Sequence, residues 1–286
     1  GAGVKTLNKR IRSVRSTQQI TKAMKMVAAA KLNRAQGRMI AARPYSGMLT
    51  RLVQMLSSAA PGSNPLFEER KIRRRLYVVV TSDKGLAGSY NLNLLKLAHR
   101  AVDAAAAEGL AVELVTVGKK AGDYFTRRGY SVRRRHDDFN GEASLERAQN
   151  LGDALVPLFL EGTVDEVRVI YAEFRSTMIQ RPVDRRLLPI SLEESGAATD
   201  EAAPDYIWEP SREALLDRLL PLYLRNRVLM TLMEAFTSEH AARMVSMRNA
   251  TDNAMELMAA LQLEYNKARQ QSITNDMLDI TGGANA

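Results

Sequence analysis

Val4, Leu7, Ile11 and Val14 recur at three- and four-residue spacing near the start of the chain, the period of one face of an α-helix. Ile20, Met24 and Val27 resume the pattern after a slip at Thr17 and Gln18, and "KAMKMVAAAKLNRAQGRMIAA" is built almost wholly from good helix formers. The segment runs to the stop "APGSNP". Pro44 inside it is expected to kink or break the helix, because proline has no N–H to donate. The far end of the chain mirrors the near one. Met244, Met247, Thr251, Ala254, Met258, Leu261, Tyr265 and Ala268 keep 3–4 spacing, the seam of a coiled coil. Ser211 is the expected N-cap of that helix, Pro221 is expected to bend it, and Glu239 four residues before Arg243 is expected to form an exposed pair. Neither narrow stripe can be buried alone, so the two arms are expected to pair antiparallel. Fifty helical residues would span about 75 Å.

Between the arms the period changes. Leu76–Val80, Val112–Val117 and Val167–Tyr171 are short β-rich runs separated by the helical stretches "LNLLKLAHRAVDAAAAEG", "KKAGDYFTRRG" and "SLERAQNLGDALVPLFLEG". That alternation predicts a largely parallel sheet. "MIQRPVDRRLLPI" reads as an edge strand, where Pro182 is tolerated, and "EESGAATDEAAPD" as a polar loop. The fold class is therefore mixed α+β and α/β: a long antiparallel coiled coil of the N- and C-terminal helices with an inserted Rossmann-like α/β domain. The expected domains are 1–60 and 211–286 for the paired helices and 75–208 for the α/β part.

Composition narrows the chemistry. Cysteine is absent and the three histidines are scattered, so thiol redox chemistry is excluded and a histidine-rich metal site is not expected. No run of about 18 apolar residues is present, and the start lacks a secretory core. A soluble, intracellular chain is expected. The net charge of +9 is unevenly spread. Up to Arg75 there are 17 Lys or Arg against 2 Glu, and the other 211 residues carry 24 basic and 30 acidic side chains. A basic arm on a mildly acidic remainder calls for an acidic partner, either nucleic acid or an acidic protein surface.

"TSDKGLAGSYN", Thr81 to Asn91, lies where a strand would run into a helix, the usual setting for a phosphate loop. Its spacing fits neither Gly-x-x-x-x-Gly-Lys nor Gly-x-Gly-x-x-Gly, so a tight strand-to-helix corner is the reading its residues support. Asp83 and Lys84 are left to pair on the surface or meet a partner. Paired catalytic carboxylates and a Gly-x-Ser-x-Gly elbow are absent. The arginine runs 73–75 and 133–135 read as solvated charge beside strand ends.

"IRSVRSTQQITKAMKMVAAAKL" (11–32), "SEHAARMVSMRNATDNAMEL" and the closing "LQLEYNKARQQSITNDMLDITGGANA" closely resemble the gamma subunit of F-type ATP synthases, as does the glycine-bearing loop. The resemblance implies a rotor shaft, non-catalytic by itself and present once per complex. Its paired helices would stand inside a ring of alpha and beta subunits, with its α/β domain at the foot. Partners implied are alpha, beta, epsilon and the membrane c-ring, with no nucleic acid. Nucleotide and magnesium would be held by the partners, and no cofactor by this chain. The ring contact is expected at Lys22, Met24 and Lys25, with Arg269, Gln270, Thr274 and Asp276 lying opposite on the other helix. Asp276 stands where the family usually has Glu. The foot contact is expected at Tyr206, Ile207 and Trp208. The place implied is the cytoplasmic face of a bacterial membrane. A basic coiled-coil nucleic-acid-binding protein is the alternative.

Overall fold

The computed structural model describes residues 2–59, 64–191 and 209–283. It contains two compact units, Ala30–Ala242 and the chain ends Gly1–Ala29 with Arg243–Ala286. The cuts between them fall inside the two long terminal helices, α1 (Ala2–Ala59) and α5 (Arg212–Gly283).

In the larger unit, β1 (Arg74–Val80), β2 (Ala111–Val117), β3 (Val132–His136), β4 (Glu166–Phe174) and β5 (Gln180–Leu188) form one sheet in the order β3-β2-β1-β4-β5. The first four run parallel and β5 is antiparallel to β4. Strand alternation splits the core into two layers. Leu76, Val78 and Val80 face α1, α4 (Leu145–Leu160) and α5, packing with Val53, Leu155, Phe159 and Tyr223. Tyr77 and Val79 face α2 (Tyr90–Ala107) and α3 (Lys119–Arg127), packing with Leu94, Ala98 and Phe125. Pro182 sits in the edge strand β5, as its missing N–H requires.

The opposite edge, β3, is "VRRRH". The run 133–135 therefore lies in a strand, not beside one. Its apolar signal is missing because a charged edge strand discourages pairing with another chain. Its neighbours supply carboxylates: Arg133 meets Glu113, and Arg135 meets Asp123 at 2.8 Å and Asp137 at 2.7 Å.

Pro44 does not break α1. It is solvent-facing, as is Ile40 one turn earlier. The lost hydrogen bond and the ring clash thus fall on the outer side, where water satisfies the carbonyl. The inward positions Met39, Ala42, Ser46 and Leu49 continue undisturbed. Pro221 is tolerated in α5 in the same way. Ser211 caps α5, its Oγ accepting from Ala214 N–H at 3.2 Å. Glu239 is buried, only 3 % exposed, so the expected exposed pair with Arg243 is corrected: this turn of α5 faces the α/β core.

Candidate functional site

The residues that follow β1 are committed to the N-terminus of α3. The first amides of a helix are unsatisfied and attract anions, and here the chain supplies its own. Asp83 Oδ1 accepts from Lys119 N–H at 3.0 Å, the Ser82 carbonyl from Lys120 N–H at 3.1 Å, and Thr81 Oγ1 from Ala121 N–H at 2.9 Å. Asp83 Oδ2 also accepts from Asn140 N–H at 2.7 Å. The carboxylate left open by the sequence is thus a cap for α3. Close approach is enforced at Gly118, whose φ is +93° and where a Cβ would lie 2.2 Å from the Thr81 carbonyl oxygen.

A doubly wound sheet usually binds ligands beyond its strand ends where the strand order reverses, which here is between β1 and β4. That crevice is filled by α5. Ser238 Oγ donates to the Ala172 carbonyl at 2.9 Å, and Tyr90 Oη donates to the Ala235 carbonyl at 2.9 Å. His240 Nε2 lies 2.8 Å from the Gly141 carbonyl, and Phe236 packs against Phe139 with centroids 5.7 Å apart. A long helix sits where a nucleotide would.

The terminal unit carries the other candidate surface. On α1 the inward positions are Val4, Leu7, Ile11, Val14, Gln18, Thr21, Lys25 and Ala28, an unbroken 3–4 alternation. The expected slip at Thr17 and Gln18 does not occur. Polar Gln18 and Thr21 keep the seam, while Ile20 (57 % exposed) and Val27 (58 %) turn outward. Following apolar residues alone missed this, whereas a strict seven-residue repeat from Val4 would have found it. On α5 the seam holds as read: Met247, Thr251, Ala254 and Leu261 are buried, and Met258, Tyr265 and Ala268 half-buried. Thr251 Oγ1 donates to Thr21 Oγ1 at 2.8 Å, which pins the register.

That register separates the two groups of expected ring contacts. Lys22 is exposed and Met24 and Lys25 are half-buried, all next to Thr21. Arg269 lies 18 residues beyond Thr251, about 27 Å along an α-helix. Arg269, Gln270, Thr274 and Asp276 are exposed, but they do not lie opposite Met24. Nineteen residues back from Thr21 is Ala2, where α1 begins, and nineteen on from Thr251 is Gln270. The last turns of α5 therefore run past the start of α1, carrying exposed Ile273, Met277 and Ile280 at helical spacing. The seam read from the sequence ends at Ala268 and does not include that stripe. Tyr206, Ile207 and Trp208 lie outside the described residues.

A family model described as ATP synthase matches residues 3–286. The ATP synthase gamma chain of Moorella thermoacetica is 45 % identical over 286 residues, covering 100 % of this chain and 99 % of that one. This chain belongs to the ATP synthase gamma-chain family. The gamma chain of Symbiobacterium thermophilum is 43 % identical, with 99 % of this chain and 97 % of that one covered. The fold agrees with a solved rotor of Euglena gracilis mitochondrial ATP synthase, with a TM-score of 0.66 at 21 % identity over 96 % of this chain and 100 % of that one. It also agrees with a central stalk and c-ring structure from Tetrahymena thermophila, with a TM-score of 0.60 at 25 % identity over 81 % and 99 %. Among the described residues of this gamma-family chain, no helix is long and apolar enough to cross a membrane, and no cluster could hold a metal ion.

Proposed function

We propose that this chain is the central-stalk rotor of an F-type ATP synthase, turning inside a ring of alpha and beta subunits and coupling proton flow through the membrane c-ring to ATP synthesis or hydrolysis. The match to gamma chains over the full length carries the reading. The geometry supports it in two ways. The α/β crevice is occupied by α5, which suits a subunit that leaves nucleotide and magnesium to its partners and is not itself catalytic. The tip of α5 presents apolar side chains outward, which suits a shaft seated in an apolar sleeve. The basic arm then meets acidic protein surface, and the nucleic-acid reading is set aside. The chain would work as one copy per complex at the cytoplasmic face of a bacterial membrane, with Tyr206, Ile207 and Trp208 toward epsilon and the c-ring.

The test is reconstitution in vesicles. Alpha, beta and membrane subunits of a gamma-family relative are assembled with and without this chain, and proton pumping is measured beside ATP hydrolysis. Pumping that depends on the chain, with no hydrolysis by the chain alone, is the expected result. Pumping of equal extent without it would overturn the assignment.

A further inference from the structure

A second surface in the larger unit has no part in the reading above. Two adjoining clefts open between the long helices and the β4–β5 pair, sharing Tyr171, Arg227 and Thr231. One end is lined by Arg43 of α1 and Glu234 of α5. The other is lined by Arg185 and Arg186 of β5.

The charges in these clefts are not balanced from within. Elsewhere on the sheet, arginines meet carboxylates: Arg75 with Glu166, Arg168 with Asp184 at 2.8 Å, and Arg135 with Asp123. Of the cleft carboxylates, Glu173 is taken by Arg175 at 2.9 Å. Arg186 holds Glu69 at 3.1 Å through one terminal nitrogen, yet its Nε is buried without an acceptor. A buried donor left unmade is costly, and an incoming acceptor would recover that cost. Among the described residues, Arg43, Arg185 and Arg227 form no ion pair. Arg227 Nη1 lies 3.5 Å from the Tyr223 hydroxyl, and its guanidinium lies over that ring. Guanidiniums that line two adjoining clefts, with Arg227 and Thr231 common to both, supply the planar donors and a hydroxyl that tetrahedral oxyanions take.

Glu234 is the one carboxylate that competes for these donors. Burial holds its pKa above the usual carboxylate range. The Tyr171 hydroxyl and the Phe174 N–H oppose that shift, and so does Arg43, while Glu173 adds to it. The charged and titratable groups lining the two clefts with it are Arg43 from α1, Tyr171 and Glu173 from β4, Arg185 and Arg186 from β5, and Tyr223 and Arg227 from its own helix. When Glu234 takes up a proton, the cleft loses its negative charge and keeps its donors.

We propose that this cleft is an oxyanion site, taking a phosphate group between Arg43, Arg185 and Arg227. The chemistry is that of a tetrahedral dianion, whether free phosphate or the phosphates of a nucleotide.

Titration calorimetry on the full chain tests this, with sulfate as the first probe because it stays dianionic across the pH range used. Saturable sulfate binding against a chloride background of equal ionic strength is expected. It should weaken by about tenfold in Arg227→Gln, and to a similar extent in the exposed-residue variants Arg43→Gln and Arg185→Gln, which leave the core untouched. Binding should tighten as pH falls through the titration of Glu234. Glu234→Gln should bind more tightly and lose that pH dependence. Phosphate and ATP arms identify the source: equal affinity for phosphate and ATP points to the free ion, while tighter ATP binding with the same arginine dependence points to nucleotide phosphates. No saturable binding, binding unchanged in all three arginine variants, or a pH dependence that survives Glu234→Gln would each overturn the proposal. None of these outcomes bears on proton pumping, so the rotor reading stands or falls separately.

Discussion

In the unit formed by residues 30–242, Tyr77, Leu94, Phe125, Phe159 and Leu188 are sealed from solvent across the two faces of one sheet. In the unit formed by the chain ends, the inward positions hold Thr21, Ala28, Thr251 and Ala254, while Ile20, Val27, Leu257 and Leu263 face outward. The first arrangement is self-sufficient, because its large side chains meet each other. The second mixes small and hydroxyl-bearing residues with Ile11, Met247 and Leu261 inside and leaves several larger apolar ones on the surface. A coil built for its own stability would turn those inward. The contrast separates a unit shaped by its own core from one shaped for an enclosing partner.

The contrast breaks most sharply at Gly118. Its φ of +93° and the Thr81 carbonyl oxygen 2.2 Å from an added Cβ leave no room for a side chain. Gly118→Ala should cost on the order of 4 kcal/mol. Amide hydrogen exchange should show the loss in the sheet and not in residues 2–29. Equal loss of protection in both units would mean that they do not unfold separately.

Next in size is a matched pair of truncations. Leu94 is fully buried under β1 and Leu261 is buried in the seam. Leu94→Ala should destabilise its unit by about 3 kcal/mol. Leu261→Ala should cost well under half of that, because its neighbours on α5, Gln262 and Leu263, are exposed and two helices can close on the gap. Urea unfolding followed by exchange in each unit measures both. Comparable losses would show the seam to be a tighter core than its small residues suggest.

Much of this division was legible in the sequence. The 3–4 spacing of Met247 to Ala268 and the β-rich runs at 76–80 and 167–171 gave the helical arms and the central sheet. β3 escaped because an edge strand of three arginines carries no apolar alternation. The turn 237–240, "TSEH", looked like helix surface because its burial comes from residues 139–141 and 172, too distant in sequence to leave a periodic trace. The relation between Met24 and Arg269 was misplaced for a similar reason. Spacing along each helix gives a face but not the register between helices, and the register rests on one threonine pair.

The same register makes a smaller prediction. With Lys25 and Arg269 on turns separated by about 27 Å or more, Lys25→Ala and Arg269→Ala should each weaken assembly with an alpha–beta ring by about 1 kcal/mol or less. Their effects should add within about 0.5 kcal/mol. Binding measured for the two single variants and the double would decide this, and a strong coupling between them would restore the opposed arrangement.

The smallest expected effect is a pH dependence confined to one unit. All three histidines lie in residues 30–242. His136, at the end of β3, has its pKa held below the ordinary value of 6.5, chiefly by burial and then by Arg134, with Asp138 and Asp137 opposing. The unfolded chain therefore takes up a proton on this ring at a higher pH than the folded chain does. Stability is fully present above 6.5 and is lost as pH falls from there toward the folded value. Asp184 and Glu234 act in the opposite sense. Burial raises both, so the folded chain holds their protons longer and is favoured as pH falls. The net slope of the wild type thus mixes signs, and only a difference isolates the histidine. His136→Gln removes the titration and keeps a polar group of similar reach. Between pH 7 and pH 5.5 the variant should lose less stability than the wild type, read from exchange of β2 and β3 amides, while amides of residues 2–29 show no difference. A variant that loses as much as the wild type would mean that the ring titrates alike in the folded and unfolded chains. A difference that reached residues 2–29 would mean that the two units share one unfolding transition.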